Sequence, residues 1–252
     1  MNDTIPLLRM FAGPNGSGKT TVKMALARPP HWFGIYINPD DIERSIQETG
    51  VLDLVPFEVR TTAEEIRRYF AESRFLQQQG LATAANAIEC SGTVLDFTHL
   101  RFNSYCASVL SDFLRRKLLD GSKSFTFETV MSSRDKVELL REAQARGFRT
   151  YLYYIATDSP EINIQRVKNR VAEGGHDVPE AKIIDRYHRS LALLPEAIRY
   201  SNRAFFFDTS SDPAVYVGQV IDGTTLEPAV EESPVWFAPI WQQFASDTTS
   251  PP

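Results

Sequence analysis

A chain of 252 residues with 42% hydrophobic and 23% charged side chains has the balance of a folded globular protein, which excludes a disordered chain, a collagen-like fibre and a coiled coil. One fold of this length buries about three quarters of its unfolded surface, so a sizeable core is expected. The net charge of −5 argues against a general phosphate-backbone binder, and no nucleic-acid partner is expected.

Apolar runs such as Tyr151 through Ala156 fall far short of the roughly 18 residues a membrane span needs. The start Met1-Asn2-Asp3-Thr4 lacks the basic and apolar regions of a signal peptide, so no membrane partner and a cytoplasmic location are expected. Cys90 and Cys106 are too few for a disulfide scaffold and at no metal spacing, so reduced thiols are expected.

In chain order, 7–12 is a short apolar strand running into a glycine loop at 13–20, and 21–27 is free of breakers and predicts a helix. A second buried strand is expected at 34–37, ended by Asn38-Pro39, with Asp40 or Asp41 capping the next helix. Thr62 followed by Glu65 is a capping box; it opens a helix with Ile66, Tyr69, Phe70 and Phe75 on one face, ending at Gly80. A strand at 93–97 and a helix over 105–119 follow. Core strands are expected at 124–129 and 149–156, with a helix over 134–146 between them.

Ser159-Pro160 launches a helix over 161–172, and another begins near Pro179 and reaches a kink or break at Leu194-Pro195. A last core strand at 204–207 precedes a hairpin whose turn is Asp222-Gly223. Beyond it, a loosely held segment docks Trp236, Phe237 and Trp241 back on the body. Strands and helices alternating at this spacing predict an α/β fold with a mostly parallel central sheet, helices on both faces and a small C-terminal hairpin. The expected organisation is a single domain over 1–228, with 50–122 as a divergent helical insertion, 160–195 as a lid region, and 229–252 as a C-terminal segment and tail.

The chemistry starts at Gly13-Pro14-Asn15-Gly16-Ser17-Gly18-Lys19-Thr20, followed by Thr21, which satisfies the P-loop pattern between a strand and a helix. Its glycines let consecutive backbone N–H groups point at phosphate oxygens, and the helix N-terminus adds its positive end. Lys19 supplies a point charge for the β and γ phosphates and Thr20 a hydroxyl ligand for Mg²⁺, so ATP and Mg²⁺ are the expected cofactors of a three-layer P-loop NTPase/kinase fold, in which the residues after the second strand decide between kinase and ATPase. Asp40 stands where a carboxylate can take the proton from an acceptor hydroxyl, or orient it, with Asp41 the helix cap. Glu128 closes an apolar strand; it could hold Mg²⁺ through water, bind the acceptor's hydroxyls beside Thr129, Ser132 and Ser133, or simply form a strand-end salt bridge. Arg166 and Arg170 lie at i, i+4 on one helical face; with Gly174-Gly175 as a joint and Arg186 beyond it, they predict a lid that lays guanidinium groups over a transferring phosphate. His176 and Asp177 could pair in catalysis or stabilise the joint. Asp208-Thr209-Ser210-Ser211 fits a loop near the nucleotide base.

Taken in order, Gly-Pro-Asn-Gly-Ser-Gly-Lys-Thr, Asn-Pro-Asp-Asp, Phe-Glu-Thr-Val-Met-Ser, Arg-Val-x-x-Arg-Val-x-x-Gly-Gly-His-Asp-Val-Pro and Arg-Tyr-x-Arg-Ser-Leu resemble the zeta-toxin family of P-loop kinases over about residues 7–210. The resemblance implies ATP-dependent phosphorylation of a UDP-activated amino sugar such as UDP-N-acetylglucosamine, and neutralisation by a small antitoxin protein. It implies Asp40 as general base, Glu128 as acceptor-binding residue, and Arg166 or Arg170 as the first lid arginine, with His176 or Arg186 standing for the second. Better-studied members follow the glutamate with glycine and threonine, where this chain has Thr129 and Val130. A nucleotide-gated ATPase that signals through a partner, and a non-toxic kinase for another metabolite, are the alternatives.

Overall fold

The computed structural model describes residues 5–175 and 177–246. Its strands are β1 (Leu7–Ala12), β2 (Ile35–Ile37), β3 (Val51–Asp53), β4 (Glu89–Ser91), β5 (Val94–Asp96), β6 (Phe125–Thr129), β7 (Arg149–Ala156), β8 (Arg203–Asp208), β9 (Val215–Ile221) and β10 (Thr225–Pro228). The helices are α1 (Lys19–Ala25), α2 (Pro30–Phe33), α3 (Pro39–Thr49), α4 (Ala63–Glu72), α5 (Arg74–Gln78), α6 (Ser104–Asp120), α7 (Asp135–Ala145), α8 (Pro160–Ala172), α9 (Glu180–Arg199) and α10 (Ala238–Ser246). Seven strands form one sheet in the order β10-β9-β8-β7-β1-β6-β2, and three form another in the order β3-β5-β4. The chain divides into two compact units, Met1–Trp32 with Glu128–Pro252, and Phe33–Phe127.

In the first unit β1, β7 and β8 are parallel, with Met10 beside Leu152 and Leu152 beside Ala204. Leu8, Met10, Leu152, Tyr154, Ala204 and Phe206 are all fully buried, which is why these strands read as unbroken apolar runs rather than as alternating ones. On the opposite face Phe11 stacks on Tyr153 at 4.5 Å and Tyr153 on Phe205 at 4.9 Å. The hairpin β9–β10 adds antiparallel to β8 at the edge, as the Asp222-Gly223 turn predicts. The α/β fold with its mostly parallel sheet is thus borne out.

Pro195 does not end α9, which runs on to Arg199. Leu194, Ala197 and Ile198 are fully buried, and burial of that last turn offsets the roughly 3 kcal/mol that an interior proline costs a helix. In the C-terminal segment Trp236 and Phe237 dock on the body as expected, and part of it is helical. It forms α10, and Trp236, Phe237, Ile240 and Phe244 are buried.

The second unit holds the parallel pair β2 and β6, with Ile35 beside Phe125 and Ile37 beside Phe127. Ile37, Phe125 and Phe127 are buried, whereas Ile35 and Tyr36 are only half-buried. Thr62 accepts from the Glu65 N–H at 3.2 Å, as its capping box predicts. The helix it opens stops at Ser73 instead of Gly80, because Ser73 both closes α4 and accepts from the Leu76 N–H at 3.3 Å to start α5. Phe75, past that break, is exposed while Ile66 and Phe70 are buried. The helix over 104–120 carries Val109, Phe113 and Leu114 into the core as expected. The strand expected at 93–97 is β5, and the additions to this otherwise helical reading are β3 and β4, which flank it antiparallel.

Candidate active site

The glycine loop is shaped by backbone that L side chains resist. Gly13, Gly16 and Gly18 have φ of 151°, 75° and 78°. A Cβ on Gly13 would lie 2.0 Å from the Ile155 carbonyl oxygen, and one on Gly16 would lie 2.5 Å from that of Asn163. The loop therefore threads between the end of β7 and the start of α8, where only glycine fits. Gly18 is the N-cap of α1 and has no side chain to occupy the helix's first-turn amides, so the positive end of the helix is left for a ligand.

Ser17 is fully buried and its Oγ has no hydrogen-bond partner, a polar cost that a bound anion would relieve. Lys19 Nζ donates to the carbonyls of Gly13 and Pro14 at 2.9 and 3.0 Å, folding the ammonium over its own loop. Thr20 and Thr21 are exposed on the first turn of α1. The cradle, the open helix end and the lysine suit a polyphosphate, and the Thr20 hydroxyl is available to a cation bound with it. Among the described residues no cluster of three His, Cys, Asp or Glu side chains offers a separate metal site.

Glu128, the penultimate residue of β6, is buried and pairs with Lys23 Nζ at 3.3 Å. The pair is a strand-end ion pair, and it places the carboxylate one turn along α1 from Lys19. Thr129 anchors the next step of the chain: its carbonyl accepts from the Gly13 N–H at 3.2 Å and its Oγ1 accepts from the Met131 N–H at 3.1 Å. Ser132 is half-buried and Ser133 exposed.

Of the three candidate arginines, two reach the loop. Arg186 donates to Asn15 Oδ1 at 3.2 Å from α9. From α8, Arg166 donates to Thr209 Oγ1 at 3.3 Å and to the Thr209 carbonyl, and its NH1 lies 3.9 Å from where a Gly18 Cβ would sit. Arg170 is half-buried and packs under the joint, its backbone carbonyl accepting from the Gly175 N–H at 2.9 Å. The two arginines at i, i+4 therefore have different neighbours. His176 lies outside the described residues, and Asp177 is exposed.

Asp40 belongs to the second unit, in the first turn of α3, where both it and Asp41 are exposed. Neither caps the helix. That role falls to Asn38, whose Oδ1 accepts from the Asp40 N–H at 3.1 Å, with Pro39 at the first helical position. An asparagine just before proline has the extended backbone an N-cap needs, and it takes the cap before either aspartate can.

Thr209, read from sequence only as part of a polar loop near the nucleotide base, meets the P-loop backbone itself. It is buried at the end of β8, and its hydroxyl donates to the Ser17 carbonyl at 2.8 Å while lying 3.1 Å from that of Ala156. The only sequence signal is its place in the polar run after the last core strand. Nearby, Tyr187 donates to the Thr157 carbonyl at 2.7 Å, and burial, with Asp158 and Asp208 adding, pushes its phenol up to about 12.

A P-loop between β1 and α1, at the carboxyl edge of a mostly parallel sheet with arginines arriving from α8 and α9, is the architecture of the P-loop kinase fold. The chain belongs to the AAA domain family, whose model matches residues 8–194. A stretch of 63 residues is 35% identical to an uncharacterized protein of Haemophilus influenzae, covering 25% of this chain and 45% of that protein. The chain thus spans less than half the length of that relative. Among solved structures, AvrRxo1-ORF1:AvrRxo1-ORF2 with sulphate ions is similar with a TM-score of 0.52, and the ORF1:ORF2 pair with ATP with 0.51. Both matches are 16% identical and cover 99% of this chain and 66% of the matched chain; the likeness is one of fold. No described helix is long and apolar enough to cross a membrane.

Proposed function

We propose that this protein is an ATP- and Mg²⁺-dependent small-molecule kinase of zeta-toxin type, transferring the γ-phosphate of ATP to a hydroxyl of a UDP-activated amino sugar such as UDP-N-acetylglucosamine, and that it is the toxin of a toxin–antitoxin pair. The observation that carries the nucleotide reading is the loop itself: three glycines in conformations that exclude side chains, an uncapped helix start and a lysine folded over the cradle. A fold neighbour determined with ATP agrees with it. The acceptor and the antitoxin rest on the zeta-toxin resemblance of the motifs.

In this reading residues 13–21 hold the phosphates, Lys19 neutralises them and Thr20 contributes a hydroxyl to the cation. When bound, ATP supplies the phosphoryl group and Mg²⁺ offsets charge on its oxygens. Arg166 and Arg186, already at the loop, stabilise charge that develops on the transferring group, and Arg170 joins them by movement at the Gly174-Gly175 joint. Glu128, Thr129 and Ser132 bind the acceptor, and the exchange of Lys23 for an acceptor hydroxyl at Glu128 accompanies its arrival. Asp40 accepts the proton, an assignment that rests on its place after β2 and on the family likeness.

Arg170→Ala and Arg186→Ala are expected to lower turnover about tenfold or more while changing ATP affinity little, since guanidinium groups aimed at developing charge act on the transition state. Steady-state kinetics beside calorimetric ATP titration checks this; full turnover with altered thermal stability alone would make these arginines merely structural. The test of the function is mass spectrometry of a panel of nucleotide sugars incubated with the protein, ATP and Mg²⁺. A gain of one phosphate on a UDP-amino sugar is the expected result. Steady ATP hydrolysis with no phosphorylated sugar would overturn it in favour of a nucleotide-gated ATPase.

A further inference from the structure

Past the hairpin, the chain returns to the end of the sheet that carries the P-loop. Phe237 packs on Phe206 at 4.5 Å and Trp236 on Tyr154 at 5.7 Å, so this segment covers β7 and β8. Packing alone would be served by any apolar ring, yet Trp236 also uses its polar atom. Its indole N–H donates to Asp208 Oδ2 at 2.7 Å, with both residues buried. The same carboxylate accepts from the Ser210 N–H at 2.9 Å and from Ser210 Oγ at 3.0 Å. Ser210 Oγ in turn accepts from the Asp158 N–H at 2.8 Å, and Asp158 Oδ1 accepts from the Val235 N–H at 3.0 Å. Val235 and Trp236 are neighbours, so the hydrogen bonds close a ring through the loops after β7 and β8 and the C-terminal segment. The Asp158 and Val235 links of this ring are exposed, but the Trp236–Asp208 bond is buried, and a buried polar bond specifies position where an apolar contact would only add burial.

Thr209 sits inside the ring, between Asp208 and Ser210. Its N–H is bonded to the Ala156 carbonyl at 2.9 Å, its hydroxyl to the Ser17 carbonyl, and it takes both donors of Arg166. The Ser17 carbonyl and the Gly18 N–H share one peptide plane and point in opposite directions. Holding that carbonyl outward on Thr209 therefore turns the Gly18 N–H inward, toward the cradle where the phosphates are proposed to lie.

We propose that the C-terminal segment is a positioning part of the nucleotide site: Trp236 and Asp208 set Thr209, and Thr209 sets the Ser17-Gly18 peptide and the Arg166 guanidinium. The proposal rests on the nucleotide reading above for its ligand and on the ring alone for its geometry. Val235 and Trp236 are then part of the working site, not a tail beside it.

Two measurements on the full chain test this. Trp236→Phe keeps the ring's packing and removes the donor; Thr209→Val removes the hydroxyl; Trp241→Phe, on a half-buried tryptophan that packs on Phe237 at 6.3 Å, is the control. Calorimetric titration with ATP and Mg²⁺ is expected to show affinity weakened about fivefold in Trp236→Phe and about five- to tenfold in Thr209→Val, with Trp241→Phe at the parental value. Hydrogen–deuterium exchange without nucleotide is expected to speed up in Trp236→Phe at 13–18, 157–160 and 206–211, while the interiors of β1 and α9 keep parental rates. Parental exchange at those loops, or equal loss of affinity in Trp241→Phe, would overturn the proposal. Should the parent protein bind no ATP, the function proposed above fails, and the exchange rates still decide the role of the segment.

Discussion

Lys19→Ala is expected to abolish nearly all phosphate transfer while leaving the fold in place. In this structure the ammonium donates to two carbonyls of its own loop, Gly13 and Pro14, so the substitution removes two half-buried hydrogen bonds. Those cost on the order of 1–2 kcal/mol in stability. The functional loss is of another size, because a fixed positive charge in a cradle of backbone amides is matched to a group whose charge is spread over several oxygens; removing one preorganised donor of this kind costs roughly 10²-fold or more in rate. Lys19→Arg is not expected to restore activity, since the planar guanidinium cannot fold onto the Gly13 and Pro14 carbonyls as a compact ammonium does. Calorimetry with ATP and a turnover assay on the same preparation check the prediction. Parental affinity together with parental turnover in Lys19→Ala would remove the P-loop from the chemistry altogether.

What could be read from the chain was whatever is local. The P-loop is eight consecutive residues, and the strands β1 and β7 are apolar runs with clear ends, so their bounds fall where the pattern places them. The capping box at Thr62 and the Asp222-Gly223 turn are local for the same reason. Features that depend on tertiary burial escaped. Pro195 marks a kink or break, and only the buried Leu194, Ala197 and Ile198 show that the helix continues through it. Strands β3 and β4 are three residues each, too short to show a period of two. The bond from Thr209 to Ser17 joins residues 192 positions apart, and no spacing rule reaches that far. The arginines lie between these cases: Arg166 and Arg170 share a helical face by sequence, but only the fold shows that one is held by Thr209 and the other packs beneath Gly175.

Asp40→Asn is expected to lower sugar phosphorylation by about 10²-fold or more, and Asp41→Asn to leave it within a few-fold of the parent. The two residues form a controlled pair. Both are exposed, both lie in the first turn of α3, and neither caps it, because Asn38 holds the Asp40 N–H. Each carboxylate favours the helix N-terminus by roughly 0.3–1 kcal/mol, so neutralising either one costs similar stability. Asp41 has in addition an exposed contact with Arg44 at 3.4 Å, which is worth a few tenths of a kcal/mol at most. On stability alone, then, Asp41→Asn is the slightly more damaging change, and a ranking of activities in the opposite order has to come from chemistry. Asparagine keeps the shape and the hydrogen-bonding oxygen of Asp40 but cannot take up a proton at neutral pH. ATP affinity and thermal unfolding are therefore expected to stay near parental in both variants while transfer separates them, and growth arrest on expression without antitoxin is expected to disappear only in Asp40→Asn. Transfer at near the parental rate in Asp40→Asn would sink the assignment of the base, and a selective loss in Asp41→Asn would move it by one residue.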